Sequence, residues 1–320
     1  MRIVVLDSFT TDQGADCWQA LEGLGAVQVF PRTPVSQVIE RVRGAEVVLT
    51  NKAIVNAEAI ATLAANGLRY IGVMATGTNV VDLAAAKQHG VVVTNVPGYS
   101  TESVAQLVMA LVLHLTTDVA GHSSRVKTGD WAACPDFCFF TKPLMELAGK
   151  TLVIVGMGAI GGALARMAGA FGMRVIPAAV PGSATPGRMP LDQALAQADV
   201  VSLHCPLTPA TQGLVNAAFF AELKRGALLI NTGRGPLLDE TAVVQALASG
   251  QLGGLGIDVL SKEPPASGNP LLDPSQPWSS RVVVTPHIAW GTVEARARLI
   301  AEVVGNLAAF TAGKLRNQVA

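Results

Sequence analysis

Three loops, each following an apolar run, carry side chains of complementary chemistry. Leu228–Asn231 ends in Thr232-Gly233-Arg234-Gly235. Ile257-Asp258-Val259 leads into Leu260-Ser261-Lys262-Glu263-Pro264-Pro265, and Val282–Val284 ends in Thr285-Pro286-His287-Ile288-Ala289-Trp290. An arginine after a strand is more often a solvated loop residue, but flanking glycines let the backbone bend tightly and aim a guanidinium inward, where its fork matches a carboxylate. A glutamate before two prolines is usually a rigid surface turn, and a lone histidine is more often half-buried and satisfied than reactive. Their meeting changes the reading. Histidine titrates where proton transfer near neutrality operates, and Glu263 beside it would hold the ring and favour its charged form.

A fourth stretch, Thr151–Gly161 (TLVIVGMGAIG), is an apolar run, a glycine turn and the start of a helical GALARMAGAF. Gly156 suits a tight turn, Gly158 an approach of backbone to a pyrophosphate, and Gly161 close helix–strand packing. Phosphates would sit on the unpaired N–H groups at the helix start. In a chain with 32 glycines such a pattern arises by chance. The strand before it and the helix after it raise its weight.

These loops need elements to position them. Ile3–Leu6, Val27–Phe30, Val47–Thr50, Tyr70–Val73 and Val91–Thr94 read as strands, with helices such as Gly14–Leu24 and Val35–Arg43 between them. From Thr151 the alternation resumes with Leu152–Val155, Arg174–Ile176, Val200–Leu203, Leu228–Asn231, Leu255–Val259 and Arg281–Val284. The pattern predicts an α/β protein of two doubly wound parallel-sheet domains, a flavodoxin-like one and a Rossmann one. Pro97-Gly98 breaks the chain, Ser100 or Thr101 can cap a helix to about Thr117, and a last helix runs from Val293 to about Phe310. The expected domains are 1–98 with 291–320, discontinuous, and 99–290, with helices bridging them. Gly121–Lys142 has no clean period and reads as an irregular excursion, with Phe137–Phe140 packed inside or at an interface.

Composition excludes other classes. The 320 residues suffice for two domains, and Lys+Arg and Asp+Glu both number 23, so nothing electrostatic points to nucleic acid or an anionic membrane. The apolar helical run Val104–Leu115 is short for a membrane span, and the N-terminus reads as a strand, so a soluble cytoplasmic protein is expected. Cys17, Cys134, Cys138 and Cys205 are scattered without a CxxC pair, against a disulfide framework or a zinc site.

Taken together these residues resemble the D-2-hydroxyacid dehydrogenase family. The matching pieces are GMGAIG (Gly156–Gly161), HCPLTPAT (His204–Thr211), NTGRG (Asn231–Gly235), DVLSKEPP (Asp258–Pro265), TPHIAW (Thr285–Trp290), ATGTNVVD (Ala75–Asp82) and NVPGYSTESVAQ (Asn95–Gln106). PDFCFF and Thr50–Lys52 resemble the glycerate dehydrogenase (hydroxypyruvate reductase) branch. The resemblance implies His287 as general acid/base, Glu263 as its partner and Arg234 as substrate clamp. It places Ala75, Thr76 and Gly77 around the substrate, the last two through their N–H groups. It sets Thr101, Gly156, Gly158, Ala159, Ile160, Gly161, Cys205, Pro206, Thr211, Thr232 and Asp258 around the cofactor, beside Arg234 and His287. Cys205 is then a wall residue and no nucleophile.

One departure bears on the cofactor. NAD-preferring folds carry Asp or Glu about 20 residues past the glycines; here Ala179 holds that position. Ser183, Thr185 or Arg188 could bind a 2′-phosphate, so NADP is favoured over NAD, against a merely flexible 181–188 loop that admits either. The expected reaction is reversible hydride transfer between NAD(P)H and a small 2-oxo acid, hydroxypyruvate or glyoxylate foremost, with domain closure excluding water. The alternatives are a dehydrogenase for phosphite or another small anion, formate being disfavoured, and a non-catalytic nucleotide-sensing corepressor. A homodimer is the family expectation.

Overall fold

The structure, a computed structural model, describes residues 1–12, 14 and 17–320. The chain divides into two compact units, Met1–Ser100 with Trp290–Ala320, and Thr101–Ala289. The first holds β1 (Arg2–Val5), α1 (Gln19–Glu22), β2 (Ala26–Val29), α2 (Val38–Val42), β3 (Val47–Thr50), α3 (Ala57–Ala65), β4 (Tyr70–Val73), α4 (Leu83–Gln88) and β5 (Val92–Thr94). The second follows with α5 (Thr101–Thr117), α6 (Val119–Lys127), β6 (Thr151–Val155), α7 (Ala159–Ala170), β7 (Arg174–Ala178), α8 (Leu191–Leu195), β8 (Val200–Leu203), α9 (Ala217–Glu222), β9 (Ala227–Asn231), α10 (Glu240–Ser249), β10 (Leu252–Ile257) and β11 (Val282–Val284). The last helix, α11 (Val293–Thr311), returns to the first unit.

Every strand pairing is parallel. The first sheet runs β2-β1-β3-β4-β5, the flavodoxin-like order. The second runs β11-β10-β9-β8-β6-β7, and a one-residue parallel bridge of Ala178 to Met189 adds a vestigial strand beyond β7. Counted with that bridge, the order is 3-2-1-4-5-6-7, a Rossmann sheet whose direction of winding reverses between β6 and β8. Strands covered by helices on both faces should be apolar throughout, and β3, β4, β6, β8 and β9 are buried at every residue, while the edge strand β2 is mostly exposed.

Several elements differ from the sequence reading for physical reasons. Gly121–Lys142 is not irregular throughout: α6 occupies its first part, because the Asp118 carboxylate accepts from Gly121 N–H and Arg125 and Lys127 sit in the last turn. That helix buries no residue, so it has no apolar stripe to betray it. Phe137 and Phe140 are exposed, at 89% and 68%, and do not pack inside this chain. β10 spans Leu252–Ile257 rather than 255–259. Its Gly254 and Gly256 let α5 lie close, since a Cβ on Gly256 would stand 3.1 Å from Leu111 Cβ. Arg281 closes a 3-10 turn before β11, and Val35–Arg43 splits into a 3-10 turn and α2. The start of the expected helix Gly14–Leu24 falls partly on Ala15 and Asp16, outside the described residues; α1 covers Gln19–Glu22. Cys134, Cys138 and Cys205 form no disulfide among the described residues, and no single helix among them is long and apolar enough to cross a membrane.

Candidate active site

The winding of the second sheet reverses where β6 and β8 end, and ligands of open α/β sheets bind at such a point. Gly156 stands there at φ +104°, and a Cβ on it would meet the main chain of His204 and Cys205 at 2.6 Å. A Cβ on Gly161 would lie 2.5 Å from the Gly156 carbonyl oxygen, so α7 seats directly against the turn. Gly158 differs: a Cβ there would have no neighbour within 4 Å. As the N-cap of α7 it offers no side-chain acceptor to the first N–H groups, which Ala159, Ile160 and Gly161 help to form.

The other residues that the resemblance sets near a cofactor lie in the same unit. Cys205 is buried, and burial pushes its thiol up, which makes it a neutral wall. Thr211 Oγ1 donates to Pro206 O (2.7 Å) and accepts from Thr208 N–H (2.8 Å), fixing the 206–211 turn. Thr101 opens α5. At the end of β9, Thr232 is 9% exposed and its hydroxyl, buried, has no hydrogen-bond partner among the described residues. The loop after β7 is pinned at its base by Ala179 N–H to Met189 O (2.8 Å) and Met189 N–H to Pro177 O (3.0 Å). It presents Ser183, its hydroxyl 2.9 Å from that of Thr185, and Arg188.

The acid–base pair is built by the loops after β10 and β11. His287 Nδ1 lies 2.6 Å from Glu263 Oε2, and Glu263 Oε1 accepts from Leu260 N–H at 3.0 Å. Both are partly exposed, and Nε2 of the ring makes no hydrogen bond among the described residues. His287 adopts φ +55°, uncommon for a side chain with a Cβ. The buried Asp258 enforces that turn. Its carboxylate accepts from Thr285 Oγ1 (2.5 Å), Ile288 N–H (2.9 Å) and Ala289 N–H (2.8 Å), while its carbonyl accepts from His287 N–H (2.8 Å). Burial pushes the Asp258 carboxyl up, and these hydrogen bonds pull it back.

Arg234 is exposed; its Nη1 donates to Gly233 O (2.8 Å), and it shares no hydrogen bond with Glu263 or His287. Asn231, assigned no role from the residue types alone, shapes that turn: its amide donates to Arg234 O (2.9 Å) and accepts from Gly233 N–H (3.0 Å). Also unassigned from sequence, His204 has Nε2 2.8 Å from Ser202 Oγ, and burial pushes it down to about 4. In the sequence Asn231 stands before a glycine turn and His204 only before Cys205-Pro206.

In the first unit, Ala75, Thr76 and Gly77 follow β4. Thr76 Oγ1 donates to Val96 O (3.0 Å), and Asn95 Nδ2 donates to Thr76 O (2.7 Å). Asp7, after β1, accepts from the main-chain N–H groups of Asn51 and Ala53 (both 2.8 Å) and of Lys52, fixing the loop after β3. A cavity of about 230 Å³ opens beside it, lined by Phe9, Arg32 and Lys52 among others.

With this geometry in view, comparison with known proteins is decisive. The sequence model of the D-isomer specific 2-hydroxyacid dehydrogenase NAD binding domain matches residues 109–289. The chain belongs to the D-isomer specific 2-hydroxyacid dehydrogenase family. It is 40% identical to hydroxypyruvate reductase of Blautia hydrogenotrophica, covering 100% of this chain and 99% of that one. It is 41% identical to glycerate dehydrogenase of Methylorubrum extorquens over 88% of each. Among solved structures it resembles the TT0316 protein of Thermus thermophilus with TM-score 0.85 and 35% identity, over the whole of both chains.

This 2-hydroxyacid dehydrogenase is therefore an oxidoreductase of CH–OH groups that uses a nicotinamide dinucleotide. Its own residues fit that group. The uncapped α7 terminus offers N–H groups to a pyrophosphate, Gly158 faces open space where a side chain would intrude, and the Thr232 hydroxyl is a buried donor lacking an acceptor.

Proposed function

We propose that the protein reduces hydroxypyruvate or glyoxylate with NAD(P)H, and in reverse oxidises D-glycerate or glycolate. The observation that carries this reading is the 2.6 Å pairing of Glu263 with His287 in the unit that also holds the Gly156–Gly161 turn. By their names, the relatives reported above act on hydroxypyruvate and on glycerate.

The dinucleotide, when bound, supplies a hydride to the carbonyl carbon. Arg234 binds the substrate carboxylate through its fork. His287, protonated, holds its Nε2 proton for the carbonyl oxygen and gives it up as negative charge develops there. Glu263 accepts a hydrogen bond from Nδ1–H and so fixes which nitrogen faces the substrate. Setting proton donor and substrate in this order converts a chance encounter into a single oriented step.

The cofactor is NADP in preference to NAD. In support, Ala179 stands where an acidic residue would repel a 2′-phosphate, and Ser183, Thr185 and Arg188 lie on the loop pinned beyond it. The protein works as a cytoplasmic homodimer. In support, Trp131, Phe137, Phe140 and Leu144 expose a run of large apolar side chains after α6.

Initial rates with hydroxypyruvate, glyoxylate and pyruvate, each with NADH and NADPH and set against phosphite and formate oxidation, test this reading. Hydroxypyruvate or glyoxylate should give the highest kcat/KM, with NADPH ahead of NADH. Turnover of phosphite alone, or of none of these, would overturn it.

A further inference from the structure

The loop that carries Glu263 is tied to a residue outside the site just described. Glu240 opens α10, and both oxygens of its half-buried carboxylate leave the helix. Oε1 accepts from Ser261 N–H at 3.1 Å and Oε2 from Asn269 Nδ2 at 3.1 Å. Asn269 in turn accepts from Leu271 N–H at 2.9 Å. One carboxylate thus grips both ends of the segment 261–269, with Glu263 between them.

The other side of the same helix start is fixed as well. Asp239 caps α10 by accepting from Thr241 and Ala242 N–H, and the 3-10 turn Gly235–Leu237 joins α10 to Arg234. A Cβ on Gly235 would lie 2.0 Å from the Leu260 carbonyl, so the arginine turn and the glutamate loop are in van der Waals contact through bare backbone. Within the second unit, Glu240 is a side-chain fastening between the segment that bears Arg234 and the one that bears Glu263.

We infer that Glu240 is a positioning residue for proton transfer: its carboxylate holds the 261–269 loop so that Glu263 meets His287. The inference rests on the function proposed above. Glu240 also lies in the first turn of α10, where a negative charge favours the helix. That role alone would affect stability and leave turnover unchanged, which separates the two.

The experiment compares the full-length wild type with Glu240→Ala and Glu240→Gln in hydroxypyruvate reduction with NADPH. Displacing a reacting group by about 1 Å can cost roughly 100-fold; a loosened loop samples the correct position part of the time, so kcat of Glu240→Ala should fall about tenfold. KM and the dissociation constant for NADPH should change less than about threefold, and the solvent deuterium isotope effect on kcat should rise as proton donation slows. Glutamine keeps an acceptor for Ser261 N–H and should restore kcat to within about threefold of wild type. Amide exchange of the peptide containing Ser261, read without substrate, should accelerate in Glu240→Ala.

Unchanged kcat and exchange in Glu240→Ala would overturn the inference, as would losses of kcat and NADPH affinity in equal measure without rescue by glutamine. If Glu240→Ala does not fold, Asn269→Asp sets a carboxylate against Oε2 and must show the same fall in kcat, or the inference fails. A wild type inactive on every 2-oxo acid would sink the proposed function instead, and the Ser261 exchange would still decide the clamp.

Discussion

His287 and Glu263 stand 24 residues apart in sequence, yet Nδ1 of the one lies 2.6 Å from Oε2 of the other. The pairing closes because Asp258 bends the chain after β11 into a left-handed turn at His287, and Leu260 N–H holds the second oxygen of Glu263. The loop after β10 thus supplies both the Glu263 carboxylate and the Asp258 acceptors that shape the histidine turn.

Replacing Glu263 by Gln keeps an oxygen for Leu260 N–H and removes the charge opposite the imidazolium. Turnover of the preferred 2-oxo acid should fall about 10²-fold, within the range of a general acid–base contribution, while thermal unfolding shifts little. A variant with wild-type kcat would show that the carboxylate does not act on the ring.

Thr232 tests the cofactor cradle through an unusual split. A buried hydroxyl without a partner is a cost to the protein alone, so Thr232→Val should leave the cofactor-free protein at least as stable as wild type. If the dinucleotide supplies the missing acceptor, its affinity should drop about fivefold, the worth of one hydrogen bond of about 1 kcal/mol. Titration calorimetry on both proteins reads this, and equal affinity would mean that the hydroxyl has no part in binding.

Gly156 allows no side chain, because its φ is +104° and a Cβ would lie 2.6 Å from the His204 and Cys205 main chain. Gly156→Ala should lower the unfolding temperature and abolish measurable dinucleotide binding. Gly158→Ala, with no protein atom within 4 Å of the added Cβ, should leave stability alone and weaken binding only. Similar stability losses in both would contradict this division of labour.

His204 makes stability depend on pH. Burial holds its imidazole down to about 4 from the ordinary 6.5. The fold therefore keeps it neutral, and this contribution is whole above pH 6.5 and lost as pH falls toward 4, up to roughly 3 kcal/mol. Urea midpoints measured from pH 7 to 4 should fall less steeply in His204→Gln than in wild type. Parallel curves would place the titration elsewhere.

Much of this architecture is legible in the sequence, for reasons that particular elements show. β3, β4 and β8 are short apolar runs buried on both faces, and α5 begins three residues after the break at Pro97-Gly98, so period and punctuation coincide with Thr101–Thr117. α6 escapes because its stability comes from a cap at Asp118, itself left-handed at φ 49°, and not from an apolar face. β10 shifts because glycine carries no hydrophobic signal where α5 presses closest. In the site, reactive types announce themselves, but their supports do not. Asp258, Asn231, Asp7 and Glu240 act by accepting from backbone N–H groups or amides far along the chain, and such contacts impose no spacing.

The most direct measurement is transient reduction of hydroxypyruvate by His287→Ala, followed through NADPH absorbance beside a fluorescence titration of NADPH. The mechanism predicts a rate lower by about 10²–10⁴-fold with NADPH affinity within about threefold of wild type. A rate near wild type, or a loss of rate matched by an equal loss of NADPH affinity, would contradict it.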